Sequence, residues 1–207
     1  MKVLLVNGSP HQTGTTNRAL EEMVEIFHQE GIDTEIHWIG SGAVSGCRAC
    51  GACGKIGHCV IDDQVNEFNR KAAEADGFIF ASPVYYASSN ASMNAFMDRI
   101  FFSALCSHSN IYYLKPAASV STARRAGTIT TIDQMNKYYQ LMEMPIISSS
   151  YWNEYHGHFG DTEDEEGLQT LRTLARNMTW FLRIKEAGKD VPLPQKEEKH
   201  MQTNFMR

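Results

Sequence analysis

Continuous apolar runs alternate with segments of helical period, and this alternation limits the chain to few folds. Val3 to Val6 is an unbroken apolar run that stops at Asn7-Gly8. A run of that kind suits a strand buried on both faces, as in a parallel sheet. Leu20, Met23, Val24 and Phe27 then recur at helical spacing up to Gly31. Glu35 to Ile39 roughly alternates and reads as a second strand. Val65, Phe68 and Ala72 predict a helix, Gly77 to Ala81 a buried strand ended by Ser82-Pro83, and Met93 to Phe101 another amphipathic helix. Ala117 to Val120 is a shorter strand. Ile132, Met135 and Tyr139 mark a helix, Pro145-Ile146-Ile147 a last strand, and Leu168 to Leu182 a long closing helix.

Five strands alternating with helices imply a parallel sheet with helices on both faces. The expected fold class is α/β, a doubly wound flavodoxin-like sheet of order 2-1-3-4-5; a barrel would need eight strands. Residues 1–190 are expected to form one domain, with an insertion at 41–62 and a polar, extended tail at 191–207. The insertion holds five of the fifteen glycines and four of the five cysteines, with no core periodicity.

Composition removes several functions. The formal net charge of −5 argues against nucleic acid as a partner. No apolar run is long enough to span a bilayer. The opening MKVLLVN lacks the features of a secretory leader, so a cytoplasmic location is expected, where thiols stay reduced.

The first strand and helix are joined by Asn7-Gly8-Ser9-Pro10-His11-Gln12-Thr13-Gly14-Thr15-Thr16. In open α/β sheets this is the carboxyl edge, where ligands bind. The segment offers four hydroxyls and opens a helix whose free N–H groups favour phosphate. It has neither the Gly-Lys pair of a nucleotide triphosphate loop nor a G-x-G-x-x-G fingerprint. Hydroxyls and amides without lysine suit a monoester phosphate such as that of FMN. A Ser/Thr-rich helix cap is the competing structural explanation.

Two further segments leave the same edge: Ser82-Pro83-Val84-Tyr85-Tyr86 after the third strand, and Ser121-Thr122-Ala123-Arg124-Arg125-Ala126-Gly127-Thr128 after the fourth. Taken singly, the tyrosines read as packing aromatics and the arginines as a solvated face. Taken in order with GSPHQTGTT, the three loops resemble the NADPH-dependent FMN reductase family, and within it the iron–sulfur flavoproteins. The resemblance implies an FMN across this edge. Ser9, His11, Gly14, Thr15 and Thr16 would surround its phosphate. Pro83, Val84, Tyr85 and Tyr86 would run along ring and ribityl chain, and Ser121, Thr122, Arg124, Arg125, Gly127 and Thr128 would border the far side. Arg124 or Arg125 would stabilise the anionic reduced flavin. The chain departs from the family pattern at His11-Gln12, where basic residues are common, at Thr15, where Asn is common, and at Ser121-Thr122, which replaces a glycine-rich turn.

Cys47, Cys50, Cys53 and Cys59 have the spacing C-x2-C-x2-C-x5-C. Bacterial ferredoxins use a similar run of three, and the intervening glycines permit a tight backbone. The resemblance implies a [4Fe–4S] cluster held by these four. Structural zinc and bare thiols or a disulfide are the other two readings. Cys106, on a helix beside Leu105, is expected to be a buried small hydrophobe. His156 and His158 are expected in a surface loop bordering a partner subunit's active site, and Asp161 to Glu166 to complement a helix dipole. No nucleophile elbow supports hydrolysis.

Three functions follow. The first is an FMN-dependent NAD(P)H oxidoreductase passing electrons to a quinone, metal ion, nitro compound or free flavin, with the chemistry borne by the flavin rather than by catalytic side chains. The second is an iron–sulfur electron carrier fed by ferredoxin. The third is a non-enzymatic module with structural zinc. The resemblance also implies a homodimer or homotetramer.

Overall fold

A computed structural model describes residues 1–159 and 162–194, with the backbone alone at His158 and Phe159. The expected tail lies outside the described residues from 195 onward, as does Asp161. The elements are β1 (Lys2–Asn7), α1 (Thr15–Gln29), β2 (Asp33–Trp38), α2 (Cys53–Ile56), α3 (Gln64–Glu74), β3 (Gly77–Tyr85), β4 (Ser88–Ser89), α4 (Ala91–Cys106), β5 (Ala117–Thr122), α5 (Thr128–Leu141), β6 (Glu154–Tyr155), β7 (His158–Phe159), β8 (Thr162–Glu163) and α6 (Glu165–Ala187).

The main sheet runs β2-β1-β3-β5-β6, all parallel, which is the flavodoxin-like order. Strand pleating divides the core in two. Val3, Leu5, Ile79, Ala81, Ala118 and Val120 face α1 and α6. Leu4, Val6, Phe78, Phe80 and Ala117 face α3, α4 and α5. The second core is aromatic: Phe80 lies 5.5 Å from Tyr139 and 5.7 Å from Phe101, centroid to centroid. Both faces of β1 and β3 are therefore buried, which is why their sequences are unbroken apolar runs.

The fifth strand differs from expectation. Pro145–Ile147 makes one bridge to Ala117 and no regular strand. The chain then swings outward through Ser148–Trp152 and returns as β6, two residues long, beside Ser121 and Thr122. Asn153 repairs the interruption: its backbone carbonyl accepts from Ser121 N at 2.9 Å and its side-chain amide donates to Ser119 O at 3.0 Å.

Helix starts separate into two kinds. Asp63 caps α3 through Val65 N, Asn90 caps α4 through Met93 N, and Asp164 caps α6 through Gly167 N. Glu165 and Glu166 add acidic charge to the first turn of α6. Helices α1 and α5 begin at Gly14 and Gly127 with no side-chain cap. Both open on the carboxyl edge of the sheet.

Candidate functional site

A cleft of about 650 Å³ lies at that edge, between the β1–α1 segment, the end of β3 and the β5–α5 segment. It is lined by Ser9, His11, Gly14, Thr15, Thr16, Pro83, Val84, Tyr85, Thr122 and Arg124, ten of the fifteen residues expected to meet a cofactor, together with Thr13, Ala123 and His156.

The loop from β1 is held rigidly. Asn7 Oδ1 accepts from Ser9 N at 3.0 Å, and Asn7 Nδ2 donates to Gln12 O at 3.2 Å. Trp38 Nε1 donates to Ser9 O at 2.8 Å, and Asn90 Nδ2 donates to Gly8 O. A Cβ on Gly8 would stand 2.8 Å from both Ala81 O and Met93 Sδ, so only glycine fits beneath the loop. Among the described residues, the backbone N–H groups of Thr13 to Asn17 have no hydrogen-bond partner. Among the described residues no carboxylate lines the cleft. Free amides at a helix start and hydroxyls, with no carboxylate among the described lining residues, form a donor set that fits the phosphate of FMN.

The remaining expected residues lie elsewhere. Ser121 is fully buried on the α5 face of β5, its hydroxyl without a partner among the described residues. Thr128 is buried and donates to Glu154. Arg125 is exposed. Tyr86 is wholly exposed and does not line the cleft. Tyr86 and Ala87 both have positive φ, +50° and +62°, and close a two-residue hairpin between Tyr85 and Ser88. Positive φ at both central residues is the type I′ form of such a link, a conformation unfavourable without glycine or asparagine. Gly127, itself at φ +95°, packs against this hairpin: a Cβ there would lie 2.7 Å from Val84 Cγ1 and 2.9 Å from Ala87 Cα.

His156 lines the cleft of its own chain, where sequence placed it toward a partner's. Ala123 O lies 2.9 Å from His156 Nδ1, so that nitrogen carries the proton and Nε2 is left to face other groups. His158's side chain lies outside the described residues.

A second site forms on the β2–α3 segment. Cys47, Cys50, Cys53 and Cys59 all line one cavity of about 20 Å³, with Val60, Ile61, Phe102 and Arg99. Cys47 and Cys50 are exposed, Cys59 is half-buried and Cys53 is buried. Asn66 grips the backbone of Cys59, accepting from its N at 3.0 Å and donating to its O at 2.9 Å. Gly54 lets α2 rest on the end of α4, because a Cβ would stand 3.1 Å from both Cys106 O and Cys106 Sγ. Cys106 is thus half-buried beside the cysteine loop rather than fully buried as expected. Burial and the adjoining Cys106 thiol push Cys53 up to about 11. Among the described residues no three His, Cys, Asp or Glu side chains converge on a point that would hold a single ion. An all-sulfur donor set around one largely apolar cavity, with a buried guanidinium beside it, fits an iron–sulfur cluster in its chemistry.

The fold and the cleft define a flavodoxin-like α/β protein whose ligand site lies at the carboxyl edge of the sheet. Residues 1–158 match the NADPH-dependent FMN reductase family, and the chain belongs to that family, in its iron–sulfur flavoprotein subgroup. It is an FMN-dependent oxidoreductase by class. An iron–sulfur flavoprotein of Methanosarcina thermophila is 30% identical over 92% of this chain and 100% of its own length. Another, of Methanocaldococcus jannaschii, is 29% identical over 89% of this chain and 98% of its own. The fold is shared with a flavodoxin from the domain Archaea at TM-score 0.59, 14% identity and coverage of 88% and 99%. Among the described residues no helix is long and apolar enough to cross a membrane.

Proposed function

We propose that the cleft binds FMN and that the chain works as an oxidoreductase taking electrons from NAD(P)H and passing them to a small acceptor such as a quinone, metal ion, nitro compound or free flavin. The row of N–H groups from Thr13 to Thr16, unpartnered among the described residues and set at a cleft whose described lining holds no carboxylate, is the observation that carries this reading. Ser9, His11, Gly14, Thr15 and Thr16 would hold the phosphate. Thr16 Oγ1 is fixed by Thr122 Oγ1 at 2.8 Å, so its orientation is set before a ligand arrives. Pro83, Val84 and Tyr85 shield one wall of the cleft from water. Tyr86, Gly127 and Thr128 shape the hairpin and helix start beside them, and Ser121 and Arg125 complete the far segment. Arg124, which lines the cleft, would lend its positive charge to the anionic reduced ring. When bound, FMN supplies hydride acceptance and the ability to release electrons singly or in pairs.

The cysteine cavity favours a second reading: a [4Fe–4S] cluster held by Cys47, Cys50, Cys53 and Cys59, and an electron carrier fed by ferredoxin. Two relatives that cover almost the whole chain carry the iron–sulfur flavoprotein name. The test is purification without oxygen, addition of FMN, a visible spectrum, and iron and sulfide analysis. A bound flavin spectrum is expected, and no flavin binding would overturn the proposal. Rapid bleaching by NADPH supports the first reading. Bleaching only by a reduced protein donor, with about four irons per chain, supports the second. Arg124→Leu should lower the flavin potential and leave binding largely intact.

A further inference from the structure

The inner wall of the cysteine cavity carries a charge that the reading above leaves without a role. Arg99 lies on α4, flanked by Met97, Ile100 and Phe101 of the core, and is 1% exposed. Its guanidinium is fully engaged. Nη1 donates to Asp63 Oδ2 at 2.6 Å and Ser45 O at 3.4 Å. Nη2 donates to Asp63 Oδ1 at 3.0 Å, Ile61 O at 2.9 Å and Cys59 Sγ at 3.3 Å. Nε donates to Cys59 Sγ at 3.4 Å. One side chain thus ties four points of the 45–63 segment to α4.

A buried arginine serving only to pin a loop would be satisfied by a carboxylate and carbonyls. Here two of the three nitrogens meet sulfur, and a neutral thiol is a weak acceptor. A metal-bound thiolate is a strong one, and hydrogen bonds to its sulfur are a principal means of tuning an iron–sulfur centre. Asp63 stands opposite, 31% exposed, bidentate on the same guanidinium. It offsets part of the positive charge that reaches Cys59.

We propose that Arg99 is a positioning residue for an iron–sulfur cluster, holding Cys59 at the cavity and lending its charge to the sulfur, with Asp63 setting how much of that charge remains. This rests on the cluster reading of the four cysteines. A nearby positive charge favours the reduced, more negative cluster, so the two residues should act on its potential with opposite signs.

The full chain is reconstituted anaerobically with iron and sulfide, as wild type and as Arg99→Gln, Arg99→Lys and Asp63→Asn. Two quantities are read: the cluster midpoint potential by dye-mediated titration, and the rate of iron loss to a chelator. Arg99→Gln should lower the potential and speed iron loss by about 10- to 100-fold, the usual cost of removing a group that supports a metal ligand. Arg99→Lys keeps the charge but cannot span Asp63, Ile61 and Cys59 together, so its potential should stay near wild type while iron loss still accelerates. Asp63→Asn should raise the potential. Asparagine caps a helix as well as aspartate does, so this variant preserves the start of α3. If Arg99→Gln fails to fold, the split in Arg99→Lys and the upward shift in Asp63→Asn still decide the matter. Full iron in all variants with unmoved potentials, or shifts of the same sign at both positions, would overturn the inference alone. A wild-type chain that takes up no iron would overturn the cluster reading and this inference with it.

Discussion

Two segments leave neighbouring strands at the same edge of the sheet and are built on opposite plans. The segment after β1 is tied through Gly8, Ser9 and Gln12 by Asn7, Trp38 and Asn90, and among the described residues the amides from Thr13 to Thr16, which line the cleft, have no partner. The segment after β2 keeps two of its four cysteines exposed, and its side-chain anchors, Arg99 and Asn66, fall at Ser45 and from Cys59 to Asp63, on either side of the run from Cys47 to Cys53. The first is preorganised, so little ordering entropy opposes ligand binding. The second leaves its thiols to be gathered by whatever they bind, the coupling of metal binding and folding that small metal sites show.

Changes that disturb the rigid edge should cost the most in the metal-free chain. Gly127→Ala forces a Cβ into Val84 and Ala87 at a positive φ. It should cost about 3 kcal/mol, visible in urea unfolding, and should weaken FMN binding. An unchanged unfolding midpoint would show that the hairpin yields easily and would erase the contrast. Next is the clamp behind the edge. Glu22 on α1, 8% exposed, takes Arg18 at 2.8 Å and Arg172 of α6 at 2.5 Å. Burial pushes its pKa upward, but hydrogen bonds from Arg172 and Arg18 outweigh that and hold it below the ordinary 4.5. Its contribution is therefore present above pH 4.5 and lost as pH falls through the lower folded value. Glu22→Gln should cost about 1–2 kcal/mol at pH 7, discounted for the exposed arginines.

The core below the cysteine loop gives a smaller effect. His37 is packed against Phe68 and Phe96, and its Nε2 has no partner among the described residues. Burial, with Lys71 assisting, lowers its pKa below 6.5. The unfolded chain then gains the proton first, so stability is full above pH 6.5 and declines as pH falls toward the folded value. Thermal midpoints should drop modestly between pH 7.5 and 5.5, by the equivalent of about 1 kcal/mol at most, and His37→Leu should flatten that slope. The smallest effect on folding sharpens the comparison best. Cys50→Ser, at an exposed position, should change stability by less than about 0.5 kcal/mol and yet abolish retention of iron after reconstitution.

Much of this was legible in the sequence because burial on both faces writes itself as unbroken apolar runs at β1 and β3. The three segments at the carboxyl edge were likewise readable, since glycine, hydroxyl and proline positions punctuate the strands. The fifth strand was not, because its two pieces, around Ile146 and at Glu154–Tyr155, are joined by a polar side chain rather than by a hydrophobic pattern. Helical periodicity placed Arg99 in an amphipathic segment, but its partner Asp63 lies 36 residues earlier and no local pattern connects them. His156 reaches the cleft through Ala123, a contact across 33 residues that only the closed sheet creates.

The hairpin at Tyr86-Ala87 divides the work between backbone and side chain. Its shape is set by backbone torsions and by Gly127 beneath it, while the Tyr86 ring touches solvent on all sides. Scaffold and tip are therefore separable. The side chain at position 86 can change without re-engineering the edge that carries it, provided the new residue tolerates the left-handed backbone, which glycine and asparagine do best and β-branched residues worst.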